Sequence, residues 1–595
     1  WLKPPARSGV RDGTPPADVG AGMGNVIRCV TCTNCVRPPG PSYDDEAVQY
    51  LRAGELVAST GGGGPRSIQA KGQPYAGLQQ AHPGGGGGLA CPAVAAVCAV
   101  LLLAGAAAAT APAAWRAVQG LAAGASRPPG GSRSLVPKPT AEQLSFLDVG
   151  LAQFVHYDIN PWSYPHVEHN CAETGTMTCL PASKFNPTNL STDQWVQAAV
   201  DFGAKEVCLT AHHEGGFALW PTKHNLGYSV AASPFQGDIV REFADSCRRH
   251  GMRICYYFGP NSNGWLLQKS ASAEQFLELQ HAQLRELLTE YGPVSRLWWD
   301  HYLLDAFGEG ETCNPGGHTP CPQGSFPAAW ASFTAQVRAE SPGTLICPGP
   351  DCMGHLWEGG MGTYPVWLTC AESAAEPGTC FSRDGVKGGG IFMPRETCVT
   401  PTSSGWFADG EGDQMAFTLV DYWRHFLNSV GIGMVNTVNA PPGTTGQIHG
   451  SITAVMRAFG AAARPLYLPD ASAGPATADC ASLVVYLDVT KGFNAVVSRE
   501  DLSQGQRLAA YTVEALQGFS TWVPLAPPCA APVVSTQTST GCIHGLSVGA
   551  MVVDVVDWVR SPPRQVRFRC LESLADPVSL RSFAVAEMDL PSELW

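Results

Sequence analysis

Runs of apolar residues alternate with amphipathic segments from residue 139 to residue 465. The apolar runs predict short buried strands, at Val149–Tyr157, Glu206–Ala211, Met252–Phe258, Ser295–Trp299, Thr344–Cys347 and Gly431–Val435. Apolar residues at helical spacing predict helices between them, from Ser191 onward and at Asp238–His250, Ala273–Tyr291, Pro327–Glu340, Asp413–Ser429 and Ile448–Ala463. This alternation indicates an α/β fold with a parallel sheet, and a segment of this length favours closure into a TIM-like (β/α) barrel.

The pattern changes after residue 465, where helical periodicity ends. Short β-type runs follow at regular spacing, at Ser482–Leu487, Phe493–Ser498, Leu508–Ala515, Met551–Trp558 and Gln565–Cys570. Such spacing is typical of a β-sandwich, so residues 466–595 are predicted to form a jelly-roll or galactose-binding-like domain. A carbohydrate-binding module and a structural support for the barrel are both compatible with this pattern.

The first 138 residues lack either pattern. Residues 1–88 are rich in Gly, Pro and Ala and are predicted to be disordered. Residues 89–115 carry no charge and are long enough for a transmembrane anchor or a signal-peptide core, with an apolar soluble linker as the alternative. Residues 116–138 form a linker. Cys29, Cys32 and Cys35 are spaced like metal ligands, but no fourth ligand lies nearby, so a metal site is not favoured.

Composition narrows the class of protein further. A net charge of -13 argues against a nucleic-acid partner, which requires a basic surface. The 21 cysteines indicate an oxidising compartment. Together with the sequon at Asn189, they favour the secretory pathway, with an extracellular, membrane-anchored, lysosomal or vacuolar destination. Loop cysteines at close spacing are candidates for disulfides, namely Cys171/Cys179, Cys313/Cys321, Cys370/Cys380 and Cys529/Cys542, whereas Cys208, Cys247 and Cys255 are interpreted as buried thiols.

Polar and aromatic residues gather just after the predicted strands, where a barrel opens to solvent. Asp300 stands at the tip of the strand Ser295–Trp299 and is the central candidate. The other candidates for gripping a ligand are His156, Glu168, His169, His212, His213, Glu214, Trp220, Tyr257 and Glu358. The run His212-His213-Glu214 could hold a metal ion, but the interleaved Trp and Tyr suit a sugar better. We therefore expect a neutral carbohydrate substrate and no metal or cofactor.

Several motifs together resemble one family. They are Phe154-Val-His-Tyr157, Phe185-Asn-Pro-Thr188, Leu209–Pro221, Tyr228-Ser-Val230, Leu297-Trp-Trp-Asp300, Gly405-Trp-Phe407, Asn428-Ser-Val-Gly431 and Asn439-Ala-Pro-Pro-Gly443. In order and content, they are similar to glycoside hydrolase family 29, the α-L-fucosidases, over residues 145–465. The runs Phe493–Gln506 and Ser579–Ala586 resemble the β-sandwich of plant-type members.

The resemblance implies a retaining exo-glycosidase that releases terminal α-L-fucose from an oligosaccharide or a glycoprotein glycan. Asp300 matches the nucleophile and Glu358 the acid/base, so their carboxyl groups should lie about 5–5.5 Å apart. The residues implied to line the fucose pocket are His156, Glu168, His213, Tyr257 and Trp298. Glu396 is the reserve candidate for the acid.

The sequence departs from the family pattern at three positions. His169 stands where Trp is usual, Glu214 where a second sugar-binding His is usual, and His301 where Gly commonly follows the nucleophile. A retaining glycosidase of different sugar specificity is therefore one alternative. A non-catalytic glycan-binding homologue is the other, although retention of both Asp300 and Glu358 argues against it.

Overall fold

The structure is a computed structural model in which the described residues belong to one compact unit, Arg127–Trp595. The described ranges are 136–163, 179–260, 263–300, 326–356, 366–370, 385–410, 415–469, 471–529 and 539–594. The predictions for residues 1–88 and 89–115, and for most of the linker 116–138, lie outside these ranges. Within the described part of the chain, no helix is both long enough and apolar enough to cross a membrane.

Eight parallel strands form the first sheet, in the order β5-β4-β3-β2-β1-β10-β9-β6. The first ten strands of the described chain are β1 (Leu151–Val155), β2 (Glu206–Thr210), β3 (Arg253–Tyr257), β4 (Arg296–Trp298), β5 (Leu345–Ile346), β6 (Met353–Leu356), β7 (Thr369–Cys370), β8 (Ile391–Phe392), β9 (Arg395–Val399) and β10 (Val435–Asn439). Strands β7 and β8 pair with each other as a separate antiparallel ribbon. The curled parallel sheet has the arrangement of a TIM-like barrel, as predicted.

Amphipathic helices pack on the outside of this sheet. Within the described residues they are α1 (Ala141–Leu147), α2 (Thr192–Phe202), α3 (Ile239–His250), α4 (Gly264–Lys269), α5 (Ala273–Glu290), α6 (Phe326–Glu340), α7 (Leu419–Leu427) and α8 (Gly450–Tyr467). Helix α2 begins at the predicted Ser191 cap, whose side chain accepts a hydrogen bond from the amide of Gln194, and it ends at Gly203 with φ +88°. Its buried face, with Trp195 at its centre, joins the main hydrophobic core.

Helix α1 covers the N-terminal end of the barrel. A capping box at Thr140 and Gln143 starts it, and Phe146 is fully buried with its ring 5.0 Å from the guanidinium of Arg296. Since α1 packs against this end, the catalytic site of a (β/α) barrel is expected at the opposite, C-terminal ends of the parallel strands.

Two antiparallel sheets follow the barrel. Their strands are β11 (Ala471–Ala473), β12 (Ala476–Ala478), β13 (Val484–Asp488), β14 (Phe493–Glu500), β15 (Leu508–Gln517), β16 (Thr521–Pro524), β17 (Val552–Val559), β18 (Gln565–Ser573) and β19 (Val578–Ala586). One sheet has the order β11-β19-β14-β17, with β12 also paired to β19, and the other has the order β13-β18-β15-β16. Val496 of β14 faces the core between the sheets, whereas Ala495 and Val497 join the core of the barrel. The first sheet is therefore buried on both faces and fastens the sandwich to the barrel.

Most predicted elements agree with the structure, but two barrel strands, β6 and β9, were not predicted. Strand β9 begins with Arg395 and Glu396, and these two charged residues do not fit the pattern of a buried strand, although all five of its positions are buried. The predicted strand Gly431–Val435 is also wrong in position, because β10 starts at Val435. Gly433 has φ +97° and ends a 3-10 turn there, which breaks the extended run.

The cysteine predictions need one correction. Cys208 and Cys255, interpreted as thiols, form a disulfide, because they lie directly opposite each other in the β2–β3 register with their Cα atoms 4.2 Å apart. Cys247 is a buried free thiol, as expected, and Cys529–Cys542 is a disulfide, as expected. Bridges that were not predicted join Cys347 to Cys352 and Cys480 to Cys570. Cys179 and Cys370 are disulfide-bonded, and their expected partners Cys171 and Cys380 lie outside the described residues.

Candidate active site

Asp300 follows β4 at the C-terminal edge of the parallel sheet, where we expected the catalytic carboxylate. Its side chain is buried, and the residue is only 9% exposed. Tyr257, the last residue of the neighbouring strand β3, donates a hydrogen bond from its hydroxyl to Oδ2 of Asp300 over 2.9 Å. This bond fixes one carboxylate oxygen of Asp300.

An aromatic stack positions Tyr257 itself. The rings of Tyr257 and Trp298 stack with centroids 5.5 Å apart and planes 13° apart, because the two residues are partners in the β3–β4 register. His213 stacks on Tyr257, with centroids 4.9 Å apart. Phe154 of β1 packs its ring edge-to-face against Trp298 at 5.3 Å. Four strand ends thus contribute rings to one apolar wall beside Asp300.

His156 has a defined protonation state because of Asn439, the last residue of β10. The amide nitrogen of Asn439 donates to the carbonyl of Trp406 over 2.7 Å, so its Oδ1 must face His156. Nδ1 of His156 lies 3.0 Å from that oxygen and therefore carries the proton. Burial, followed by the neighbouring His213, lowers the pKa of His156 well below its ordinary value. The imidazole is neutral, and its Nε2 is left as a hydrogen-bond acceptor.

Trp406 and Phe407 complete the wall from the loop after β9. Trp406 lies 4.8 Å from the ring of His156, and Phe407 packs edge-on against His213 at 5.0 Å. The hydroxyl of Thr402 donates to the carbonyl of Gly405 over 2.7 Å and holds this loop in place. The sequence named these two residues only through the Gly405-Trp-Phe407 motif, because their distance along the chain from His156 gave no other signal.

Glu396 lies inside the barrel. It is fully buried, and its Oε1 accepts hydrogen bonds from Arg296 at 2.6 Å and from Thr437 at 2.5 Å. Its Oε2 accepts a hydrogen bond from the indole of Trp298 over 3.1 Å. Arg296 also binds Glu206 at 2.8 Å. Burial opposes the charge of Arg296, but Glu206 and Glu396 outweigh it and raise the pKa of the guanidinium. Glu396 therefore belongs to a buried ion cluster in the barrel interior, and its hydrogen bond with the indole holds Trp298 in place.

His212 and Trp220 are also placed in the core. The His212 ring packs edge-on against Phe258 at 4.7 Å and stacks with Trp220 at 6.5 Å. The indole of Trp220 donates to Glu286 of the outer helix α5 over 2.7 Å. Burial lowers the pKa of His212 to about 4, so this imidazole is neutral. These contacts turn both side chains toward the barrel wall, whereas the adjacent His213 faces Tyr257.

Glu214 is buried in the turn after β2, where its carbonyl accepts a hydrogen bond from the amide of Gly264 over 2.6 Å. Glu168, His169 and Glu358 lie outside the described residues, so their predicted roles stay predictions. Among the described residues, no group of three or more His, Cys, Asp or Glu side chains could hold a metal ion.

Comparisons with known proteins agree with this arrangement. Residues 153–343 match the family model described as Alpha-L-fucosidase. "Alpha-L-fucosidase 1" of Arabidopsis thaliana is 29% identical over 334 residues, covering 55% of this chain and 60% of that protein. "Putative alpha-L-fucosidase 1" of Oryza sativa subsp. japonica is 30% identical over 334 residues, covering 55% of this chain and 58% of that protein. The chain thus spans about 60% of the length of these curated relatives.

The fold comparison covers more of the chain. The crystal structure of a putative alpha-L-fucosidase from Bacteroides ovatus ATCC 8483 superposes with a TM-score of 0.61 at 23% identity, covering 76% of this chain and 75% of that one. The architecture of a barrel followed by a sandwich is therefore shared. The family model matches the first half of the barrel, and the two curated relatives are plant proteins.

Proposed function

We propose that this protein is a retaining exo-glycosidase that hydrolyses terminal α-L-fucose from glycans. The observation that carries the proposal is the setting of Asp300, a buried carboxylate at a strand end, oriented by Tyr257 and walled by Trp298. A carboxylate at this position of a barrel can reach a ligand bound over the strand ends. The match of residues 153–343 to the alpha-L-fucosidase family model supports fucose as the sugar.

The proposed reaction has two displacements. A carboxylate oxygen of Asp300 attacks the anomeric carbon and forms a glycosyl-enzyme ester while the bond to the leaving oxygen breaks. Glu358, assigned from the sequence, gives its proton to that oxygen and then takes one from the water that hydrolyses the ester. Two carboxyl groups suffice, so no cofactor is required.

The neighbouring groups suit a neutral sugar. Neutral His156 offers Nε2 as an acceptor for a sugar hydroxyl, with its tautomer set by Asn439. The rings of Trp298 and Trp406 offer apolar surface for the C–H face of a pyranose. Such a site combines a few hydrogen-bonding groups with apolar walls, as binding of a sugar requires.

We further propose fucosylated oligosaccharides or glycoprotein glycans as substrates and the secretory pathway as the compartment. Disulfides such as Cys529–Cys542 and Cys480–Cys570 support an oxidising environment. The exposed Asn189 of the sequon is accessible for glycosylation. Residues 89–115 are proposed to be the membrane anchor or signal-peptide core. Expression in a secretory host tests this, and an uncleaved, unglycosylated cytosolic product would contradict it.

The activity is tested with nitrophenyl glycosides of α-L-fucose, α-galactose and β-fucose. We expect turnover of the α-L-fucoside, with NMR showing that the first sugar released has the α configuration. Preference for another glycoside would support the alternative of a changed sugar specificity, for which the buried Glu214 is the candidate determinant. Saturable binding of fucose without turnover of any substrate would instead identify a glycan-binding homologue.

A further inference from the structure

A cavity lies at the end of the barrel opposite Asp300. It has a volume of about 670 Å³ and is lined by residues of the barrel, of helix α8 and of the sandwich. Gly150 and Leu151 mark the start of β1, Tyr467 ends α8, and Arg499 and Arg581 come from β14 and β19. A volume of this size is typical of small-molecule sites.

The cavity is positively charged, although the whole chain has a net charge of -13. Five basic side chains line it, and two acidic ones, Asp148 and Asp201, leave a formal excess of three positive charges. The basic side chains are Lys205, Arg457, Arg464, Arg499 and Arg581. A concentration of cations in a cleft attracts anions, since low-dielectric walls focus the field.

Two of these cations flank one aromatic ring. The ammonium of Lys205 lies 5.7 Å from the centroid of the Tyr467 ring, and the guanidinium of Arg499 lies 6.0 Å from it. The hydroxyl of Tyr467 is buried and has no hydrogen-bond partner among the described residues. This unpaired buried hydroxyl carries a cost in stability, and the residue lines the cavity.

Main-chain carbonyls hold both cations in place. Lys205 donates to the carbonyl of Asp148 over 2.6 Å, and Arg499 donates to the carbonyl of Leu466 over 3.0 Å. These acceptors orient the cations without neutralising them. Burial first, and then the neighbouring charges of Arg499 and Arg581, lower the pKa of Lys205 in spite of Asp148. An anion placed between these cations would relieve their mutual repulsion.

We propose that this cavity binds a small organic anion, a phosphate or sulfate ester with an apolar portion. The guanidinium and ammonium groups match the oxygens of a tetrahedral anion. Leu147, Phe202 and Met551 supply apolar surface for the remainder of the ligand. Because the site lies away from Asp300, the proposal is independent of the fucosidase activity.

The test is binding of phenyl phosphate and phenyl sulfate to the full chain, measured by calorimetry and by thermal shift. Phenol is the neutral control, and sodium chloride at equal ionic strength controls for screening. We expect saturable binding of an ester and a Tm that rises with its concentration. Binding of either ester supports the proposal, and their relative affinity tells whether one or two negative charges are preferred. No saturable ester binding up to about 10 mM at low salt, or equal stabilisation by phenol, would overturn it.

Variants connect the binding to these residues. Lys205→Met and Arg464→Met should each weaken ester binding about tenfold with little change in Tm, because each substitution removes a charge and keeps a side chain of similar length. Arg285→Met on α5, where Arg285 pairs with Glu340 on the outer surface, is the matched control and should bind normally. Unchanged affinity in the Lys205→Met, Arg464→Met double variant, or an equal loss in Arg285→Met, would contradict the proposed site.

Discussion

Asp300 and Glu396 are carboxylates of the same barrel, and both are linked to the side chain of Trp298. Asp300 lies at the rim and receives a hydrogen bond from Tyr257, which stacks on Trp298. Glu396 lies in the interior, fully buried, and holds Arg296, Thr437 and the Trp298 indole. The difference is access. A carboxylate at the rim can meet a sugar, whereas we expect one enclosed by a guanidinium and two other donors to hold its neighbours.

The same contrast separates two adjacent histidines. His213 stacks on Tyr257 and contacts Phe407 at the rim, while His212 packs against Phe258 and Trp220 in the wall. Rim residues should therefore affect turnover, and interior residues should affect stability. The following variants test that division, beginning with the largest expected effect.

Asp300→Ala should lower kcat/KM on nitrophenyl α-L-fucoside by at least about 10³-fold, or roughly 4 kcal/mol, because no covalent intermediate can form. The Tm should change little. Added azide should not give a product of retained configuration, which NMR will show. Asp488→Ala in the sandwich, where the exposed Asp488 accepts a hydrogen bond from Gln565, is the control and should be fully active. Full activity in Asp300→Ala would remove Asp300 from the mechanism.

Glu396→Gln should lower the free energy of unfolding by about 3–5 kcal/mol, because it leaves the buried Arg296 without one of its two counter-ions. Denaturant unfolding measures this loss. Glu514→Gln is the control, since the buried Glu514 pairs with Arg567 and Arg569, whose side chains are 19% and 44% exposed, so that water compensates them and the change should cost only about 1 kcal/mol. If Glu396→Gln kept normal stability but lost turnover, Glu396 would instead be the catalytic acid. An active Glu358→Ala variant would strengthen that assignment.

The sequence predicted strands β1 to β4 to within two residues at each end because their apolar runs are continuous. Strand β9 was missed for the opposite reason. Arg395 and Glu396 look like loop residues, and Glu396 is tolerated inside only because Arg296, 100 positions away, neutralises it. A local pattern contains no information about such a partner. The same holds for the candidate site. The ends of predicted strands locate Asp300 and Tyr257, whereas the contact between His156 and Asn439 joins residues 283 positions apart and has no local signal.

The direction of side chains was the second feature that the sequence could not predict. The run His212-His213-Glu214 suggested three ligand-binding groups, but consecutive residues of an extended chain point to opposite sides. The structure turns His213 to the rim and His212 to the wall. The alternation of side chains could have predicted which histidine faces the rim only if the last residue of β2 had been known.

His213→Ala should lower kcat/KM by about tenfold, or roughly 1.4 kcal/mol, through loss of a sugar contact and of the ring that supports Tyr257. His212→Ala should instead lower the free energy of unfolding by about 1–3 kcal/mol by leaving a cavity beside Phe258 and Trp220, with kinetics near normal. Kinetics and denaturant unfolding of both variants are the measurements. A larger kinetic defect in His212→Ala than in His213→Ala would reverse the assignment of rim and interior.

Asn439→Asp tests the smallest effect, the control of His156 by its partner. A carboxylate beside Nδ1 should raise the pKa of His156, which burial and His213 keep low in the native protein. The imidazolium formed below the new pKa carries a proton on Nε2 and cannot accept from a sugar hydroxyl. We therefore expect kcat/KM to fall about threefold to fivefold at pH 5 relative to the native enzyme and to recover as the pH rises. Asn494→Asp, at a buried amide bound to Met588 in the sandwich, is the matched control for the cost in stability. Its pH profile should match that of the native enzyme. A profile for Asn439→Asp that also matches would show that the protonation of Nε2 does not affect sugar binding.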